Sequence, residues 1–280
     1  MTGSATAAEP RTQAPPERRV ATVTDVERLG AYVVVRALDT APAPDPRPGQ
    51  FYMLAAAERW GGVEEGRPYL PRAFSHARAT PGTDGIELSF LLEEVGPGTT
   101  RLGQLACGEG LTLVGPLGIG FRPPAAVTRP LLVGGGIGAA PLLCLQDELG
   151  EGTPLVLGFR SAAHARAATL FRGEVELATD DGSAGRHGLV TDLLRERLDA
   201  DAARTVFACG PPAMLEAVRA LCAERGVRAQ LALESGMACG FGACFGCVVP
   251  TRDGYVRLCV DGPVLDADRL DSALVRGAGH

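Results

Sequence analysis

The hydrophobic pattern changes once along this 280-residue chain, and that change limits the folds it can adopt. Up to about Pro124, apolar residues fall in short runs rich in Val, Leu, Thr, Tyr and Phe, separated by turns rich in Pro and Gly. Short runs at this spacing predict an antiparallel barrel or sandwich. The runs are 19–26, 31–38, 50–56, 72–77, 86–93 and 111–114.

From Pro130 onward, short apolar strands alternate with helical segments, which is typical of βαβ units and predicts a parallel sheet. The third part of the chain, from about Leu233, is rich in loops. The predicted fold class is therefore multi-domain β plus α/β. The predicted divisions are a disordered tail 1–18, an antiparallel β-barrel 19–125, a parallel-sheet α/β domain 126–232 and a small loop-rich domain 233–280.

Charge and hydropathy exclude several classes of protein. The formal net charge is −6 and the basic residues form no stripe, so nucleic acid is not an expected partner. Residues 1–17 lack the apolar segment of a secretory signal, and no stretch approaches the roughly 18 consecutive apolar residues of a membrane helix. We expect a cytoplasmic protein that does not span a membrane.

Four of the eight cysteines lie close together near the C-terminus. Their spacing, C-x4-C-x2-C and then a fourth Cys, matches the ligation of a plant-type [2Fe–2S] cluster. Glycines between them suit a loop whose amide N–H groups approach the sulfurs. Two alternatives stay open: a structural zinc site, which favours two separated C-x2-4-C pairs, and four buried free cysteines. The predicted metal ligands are Cys239, Cys244, Cys247 and Cys259.

Two loops after predicted parallel strands are candidate nucleotide-binding elements. Residues 134–141 read G-G-G-I-G-A-A-P and join a strand to a helix, where backbone N–H groups can bind phosphate. The segment lacks the last Gly of G-x-G-x-x-G, and a glycine turn without a ligand stays an alternative. Ligands bind beyond the carboxyl ends of parallel strands, so the loop 208–214 should face the same crevice. The candidate residues are Gly134, Gly135, Gly136, Gly138, Cys209, Gly210 and Pro211.

With these motifs in place, the chain resembles the ferredoxin–NADP reductase superfamily and, more narrowly, the electron-transfer subunits of NAD-dependent dihydroorotate dehydrogenases. The resemblance runs from about Arg19 to Leu270 and is most specific in 233–247 and 258–264. It implies a FAD-binding antiparallel β-barrel, a parallel-sheet NAD-binding domain and a small [2Fe–2S] domain. It also implies a partner, the FMN-containing dihydroorotate dehydrogenase catalytic subunit.

The resemblance assigns roles that the residues alone leave undecided. Arg72-Ala73-Phe74-Ser75 is similar to the flavin motif R-x-[FY]-[ST]. It implies Arg72 on the FAD pyrophosphate, Phe74 against the flavin and Ser75 near the flavin N5. The resemblance also implies the family's second phosphate turn at Gly96, Gly98, Thr99 and Thr100. It implies that Asp181 lies in the nucleotide segment, and that the candidate catalytic residues Cys209 and Glu234 lie near the nicotinamide–flavin contact.

Two features leave the nucleotide and the partner less defined. Arg160 follows the second predicted parallel strand, where a basic residue favours NADP, whereas the narrower family implied by the resemblance uses NAD. We expect NAD, with NADP as the alternative. Ala73-Phe74 departs from the Pro-containing motif frequent in that family, which leaves the identity of the redox partner open.

A hydride carries two electrons and an iron–sulfur cluster accepts one, so a flavin belongs between them. Together with the resemblance, this implies electron transfer from a partner FMN subunit through [2Fe–2S] and FAD to NAD+, in pyrimidine biosynthesis. The alternatives are an NAD(P)H-dependent flavin and iron–sulfur reductase subunit serving another partner, and a zinc-stabilised binding module. The histidines 76, 164 and 187 are interpreted as polar surface residues, and none is assigned a role.

Overall fold

Six antiparallel strands in the first part of the chain close into a barrel. The computed structural model describes residues 17–62, 66–124 and 128–275. The barrel strands are β1 (Arg18–Leu29), β2 (Tyr32–Asp39), β3 (Phe51–Ala56), β4 (Arg72–Pro81), β5 (Ile86–Glu93) and β6 (Gly110–Leu117), with helix α1 (Pro97–Gly103) between the last two. Their order around the barrel is β1-β2-β5-β4-β3-β6, and β6 pairs back with β1. Buried and exposed residues alternate at the start of β1, as a half-buried strand requires.

A buried ion pair crosses the barrel wall. The guanidinium of Arg19 lies 2.9 Å from the carboxylate of Asp39, and both side chains are about 5% exposed. A second N–H of Arg19 donates to the carbonyl oxygen of Gly115 at 2.8 Å. Because the charges are paired and also hydrogen-bonded, the pair can be held in an apolar wall.

The second sheet has seven strands. Its members are β7 (Arg129–Gly135), β8 (Leu155–Phe159), β9 (Val175–Thr179), β10 (Arg186–His187), β11 (Arg204–Cys209), β12 (Arg228–Ala232) and β15 (Val264–Asp266). The order is β10-β9-β8-β7-β11-β12-β15, and all neighbouring strands are parallel except the last pair. The helices between these strands are α2 (Ala140–Leu149), α3 (Ala162–Ala165), α4 (Val190–Ala200) and α5 (Pro212–Glu224), with 3-10 turns at Gly136–Ala139 and Arg166–Leu170.

The C-terminal segment leaves this sheet, forms the cysteine-rich region and then returns to the sheet. It contains a hairpin of β13 (Val248–Thr251) and β14 (Gly254–Arg257), the short helix α6 (Leu258–Asp261), the strand β15 and a 3-10 turn at Ala267–Arg269. The buried core of the parallel sheet continues into this region through Cys247, Leu258 and Cys259. The cysteine-rich region therefore shares its core with the parallel sheet.

The predicted fold class is confirmed: a closed antiparallel barrel precedes a parallel sheet and a small cysteine-rich region. The division at 232/233 stays a prediction, since β15 adds to the sheet beside β12. Residues 1–16 of the predicted tail 1–18 lie outside the described residues. The predicted boundary at 125/126 also falls outside them, at residues 125–127. In the described part of the chain, no helix combines the length and apolar character needed to cross a bilayer.

The interpretation of His76 as a surface residue is wrong, because its side chain is completely buried. The cause is an irregularity in β4, where the register with β5 shifts between His76 and Arg78. Such a bulge breaks the simple alternation of a strand, so that His76 and Ala77 are both buried. The imidazole Nε2 lies 3.3 Å from Sγ of Cys144 on α2 and so links the barrel to the parallel-sheet domain.

Candidate functional site

The four clustered cysteines are arranged as two pairs. Cys247 and Cys259 are fully buried, and their sulfur atoms lie 3.2 Å apart. Cys239 is half-buried, and its thiol is hydrogen-bonded with that of the exposed Cys244. In residues 17–62, 66–124 and 128–275, no three His, Cys, Asp or Glu side chains converge as a single metal ion requires. Two pairs suit a two-iron cluster, in which four thiolates share two irons.

The loop around Cys239 favours the thiolate form of its side chain. Burial acts to raise the pKa of Cys239, but hydrogen bonds from the backbone N–H groups of Cys244, Phe241 and Ala243 and from the Cys244 thiol outweigh it and lower the pKa to about 7. The backbone makes this possible because Gly240 and Gly242 have φ angles of 81° and 87°. Since the thiolate is the form that binds metal, this half of the site is prepared for a cluster.

Cys259, in the buried pair, has the opposite electrostatics. Burial, followed by the hydrogen bond and the charge of Cys247, raises the pKa of Cys259 to about 12. A buried thiol of this kind loses its proton when a metal cation takes the proton's place. The donor set of four sulfurs, half of it shielded from water, fits a [2Fe–2S] cluster.

The cysteine loop rests on the strand next to the flavin motif. A Cβ at Gly240 would lie 2.4 Å from Cγ of Met53, so the loop touches β3 closely. Met53 is the register partner of Ala73 on β4. Side chains of directly opposite residues share one face of a sheet, so Ala73 faces the side on which the cysteine loop lies. The predicted cluster and flavin sites are therefore neighbours.

The predicted FAD phosphate elements are in contact with each other. A Cβ at Gly98 would lie 2.7 Å from Nε of Arg72, which places the guanidinium against the first turn of α1. Arg72 also donates to the carbonyl oxygen of Leu70 and lies 5.9 Å from the ring centroid of Trp60. An arginine over backbone N–H groups of a helix start is a suitable cradle for a pyrophosphate.

The remaining residues of the predicted FAD site lie in the flavin motif and in the turn at the start of α1. Phe74 is half-buried and packs against the barrel's interior cluster, while Ala73 is exposed and Ser75 is half-buried. The hydroxyl of Thr99 donates to the carbonyl oxygen of Gly96 at 3.0 Å, so it stabilises the turn itself. Thr100 is half-buried, and its N–H donates to the same carbonyl at 2.9 Å.

The two predicted nucleotide loops meet at the carboxyl edge of the parallel sheet. Cys209 and Gly134 are register partners at the ends of β11 and β7. A Cβ at Gly138 would lie 2.5 Å from the backbone nitrogen of Gly210, so only glycine allows this approach. A Cβ at Gly135 would meet Met214 and Pro211, and Gly136 has a φ of 55°. The two loops therefore pack directly against each other at the edge where ligands of parallel sheets bind, and the binding of a nucleotide there stays a prediction.

Cys209 and Glu234 lie within electrostatic reach of each other at this edge. Burial first, and then the carboxylate of Glu234, raise the pKa of Cys209 well above its usual range. Burial also raises the pKa of Glu234. Cys209 is 5% exposed and remains a neutral thiol at neutral pH, so it can contact a flat ring without acting as a nucleophile.

The other nucleotide candidates lie on the outer loops. Asp181 is exposed, and hydrogen bonds from the side chain and backbone of Ser183 lower its pKa. The hydroxyl of Ser183 also accepts the N–H of Ala162 at 2.6 Å, so this turn fixes the start of α3. Arg160 is 65% exposed and is paired with Glu93 of the barrel strand β5.

Comparison with known proteins identifies the family. Residues 234–271 match the iron–sulfur cluster binding domain of dihydroorotate dehydrogenase B. The electron transfer subunit of dihydroorotate dehydrogenase B (NAD(+)) from Caldanaerobacter subterraneus subsp. tengcongensis is 36% identical over 231 residues, 80% of this chain and 87% of that protein. The chain belongs to this family of electron-transfer subunits. The corresponding subunit from Geobacillus sp. (strain WCH70) is 39% identical over 234 residues, 80% of this chain and 86% of that protein.

The fold of this electron-transfer subunit is shared more widely. A solved NADH-dependent reduced ferredoxin-NADP oxidoreductase superimposes with a TM-score of 0.73 and 24% identity, covering 90% of each chain. The resemblance to the dihydroorotate dehydrogenase electron-transfer subunits is therefore confirmed, and the fold is that of the solved ferredoxin-NADP oxidoreductase. The roles of the individual site residues stay predictions.

Three residues of this subunit that contact the predicted sites were not identified from the sequence. Trp60 lies beside Arg72, Met53 lies under the cysteine loop, and Arg257 lies beside Phe245 in that loop. Each acts through a contact between segments that are distant in the chain, and only Arg257 carried a local signal, since it lies two residues before Cys259.

Proposed function

We propose that this subunit accepts electrons from the FMN-containing catalytic subunit of a dihydroorotate dehydrogenase and delivers them to NAD+, in pyrimidine biosynthesis. Bound FAD would exchange two electrons with the nicotinamide and one at a time with a [2Fe–2S] cluster. The observation that carries the proposal is the contact of the four-cysteine loop, through Gly240 and Met53, with β3, the strand that pairs with the flavin-motif strand β4. Membership of the electron-transfer subunit family supports it.

The residues of this chain divide the work among three sites. The two cysteine pairs would hold the irons, and Arg72 with the N–H groups at Gly98 would hold the FAD pyrophosphate. The glycine loop ending at Gly138 would take the nucleotide phosphates. Cys209 and Glu234 would line the nicotinamide pocket and keep water out, and burial raises the pKa of both side chains.

The partner's docking face is proposed around the exposed cysteine, Cys244. Large apolar side chains are exposed on the cysteine loop and on the β13–β14 hairpin. Exposed aromatic residues grouped in this way are typical of protein interfaces. The exposed fractions are 46% for Phe241, 62% for Phe245, 37% for Val248 and 80% for Tyr255.

Co-expression with the catalytic subunit tests this proposal. We expect co-purification and NAD-linked oxidation of dihydroorotate. Tyr255→Asp should weaken the complex at least roughly tenfold, because it places a charge in an apolar interface, while NADH-driven dye reduction by the chain alone is retained. Leu189→Asp, at a side chain 58% exposed outside the docking face, is the matched control and should have no effect. A catalytic subunit that neither binds nor supports NAD-linked activity would contradict the proposal.

The alternative is a reductase subunit that serves another partner or uses NADP. Arg160 favours NADP by its position after β8, although its guanidinium is paired with Glu93. Comparing kcat/KM for NADH and NADPH decides between the nucleotides, and we expect NADH to be preferred. We also propose that the protein works in the cytoplasm, which the metabolic role of the family supports.

A further inference from the structure

Arg257, at the end of β14, contacts the cysteine loop at two points. Its Nη1 donates to the carbonyl oxygen of Gly242 at 3.1 Å, and its guanidinium carbon lies 5.3 Å from the ring centroid of Phe245. The arginine is itself held in place by Asp261, whose carboxylate accepts the backbone N–H of Arg257 at 2.9 Å and lies 3.9 Å from its Nε. The guanidinium is 26% exposed, so these contacts are largely shielded from water.

The two loop residues that Arg257 contacts have unusual backbones. Gly242 has a φ of 87°, and Phe245 has a φ of 58°, which a residue with an aromatic side chain rarely adopts. Phe245 lies between the ligand candidates Cys244 and Cys247, so its backbone sets the direction in which both sulfurs point. A conformation of this kind persists only where surrounding contacts hold it, and the stacked guanidinium is such a contact.

Gly242 also contacts a candidate ligand directly. Its backbone N–H donates to the thiol of Cys259 and acts to lower the pKa of that thiol. The carbonyl that Arg257 holds lies in the same peptide plane as the N–H of Ala243, which donates to the Cys239 thiol, so Arg257 orients a second donor to the candidate ligands. Hydrogen bonds to the sulfurs and nearby positive charge both raise the reduction potential of an iron–sulfur cluster, because they stabilise the additional electron.

We propose that Arg257 is a positioning residue for the iron–sulfur cluster, which holds the loop 239–247 in its ligating conformation and raises the reduction potential of the cluster. This inference rests on the proposed function, since it requires a bound cluster. Arg257 acts on the candidate ligands through its contacts with Gly242 and Phe245.

The test compares Arg257→Met and Arg257→Lys with a matched control, Arg252→Met. Arg252 lies in the turn of the same hairpin, is 54% exposed and pairs with Asp271, so its loss changes the net charge equally without touching the loop. Iron, acid-labile sulfide and FAD are measured per chain, and the cluster potential is measured by anaerobic titration followed by electron paramagnetic resonance. We expect a lower potential in Arg257→Met, a smaller shift in Arg257→Lys and none in Arg252→Met.

The outcomes separate this inference from the proposed function. A wild-type potential in Arg257→Met, with full iron, overturns the role of Arg257. Loss of iron with normal FAD content and an unchanged melting temperature supports it, because only the loop is affected. If Arg257→Met loses FAD and iron together, the same measurements are read on Arg257→Lys. A wild-type potential with full iron in that variant overturns the role of Arg257, and a lower potential or a loss of iron alone supports it. A wild-type protein without iron refutes the proposed function itself.

Discussion

The burial of His76 predicts a pH dependence of stability that can be assigned to one side chain. The imidazole lies between β4 and α2 with no exposed surface. Burial, the larger effect, lowers its pKa from 6.5 to about 4, and the backbone of Gln50 acts in the opposite direction. Protonation would place a positive charge in this interior beside the thiol of Cys144, which cannot neutralise it.

The sign and the magnitude of this pH dependence of stability follow from proton linkage. Between the folded pKa of about 4 and the unfolded pKa of 6.5, the unfolded chain binds more protons at His76 than the folded chain does. The free energy of unfolding therefore falls as the pH falls through this window, and it is fully retained above it. Lowering the pH from about 7.5 to about 5 removes about 2 kcal/mol from this group alone, and about 3 kcal/mol is removed below pH 4.

Urea unfolding of wild type and His76→Gln at both pH values measures this contribution. The difference in unfolding free energy between the two proteins should shrink by about 2 kcal/mol at the lower pH, because glutamine does not titrate. His187→Gln, at an exposed position on β10, is the control and should show a constant difference. Equal pH slopes for wild type and His76→Gln, or an imidazole resonance of His76 that titrates near pH 6.5, would refute the reasoning.

Three further substitutions test the other contacts. Gly138→Ala should raise the KM for NADH roughly tenfold, with a normal flavin spectrum, because its Cβ meets the backbone of Gly210 at 2.5 Å. Trp60→Leu should weaken FAD binding to the apoprotein about fivefold by releasing Arg72, and unchanged affinity would contradict this. Asp39→Asn should cost about 3 kcal/mol in urea unfolding by leaving the charge of Arg19 buried without its partner. Arg28→Met, at a 65% exposed arginine, is the control and should change the unfolding free energy far less.

The large features of the fold could be predicted because each has a local period. The barrel strands and the alternating strands and helices follow from hydrophobic spacing within short windows. β15 could not be predicted in this way, since three residues are too few to show a period and its pairing with β12 is a long-range contact. His76 was misplaced for a related reason, because a bulge is not visible in the alternation of a single strand.

In the candidate site, too, local patterns could be predicted and long-range contacts could not. The cysteines and glycines were identified because their chemistry and backbone geometry require those residue types at fixed spacing. The supporting residues Trp60, Met53 and Arg257 have ordinary alternatives at their positions and gain their roles from packing between distant segments. Such roles are defined by the folded chain and not by any local pattern.

The central claim is that four thiolates hold a two-iron cluster beside a flavin that NADH can reduce. Anaerobic purification followed by iron, sulfide and FAD analysis, with stepwise addition of NADH, tests it most directly. We predict about two iron, two sulfide and one FAD per chain, with loss of both flavin and cluster absorbance on NADH addition. A colourless protein, or a Cys247→Ser variant that keeps the full iron content and spectrum, would contradict the account.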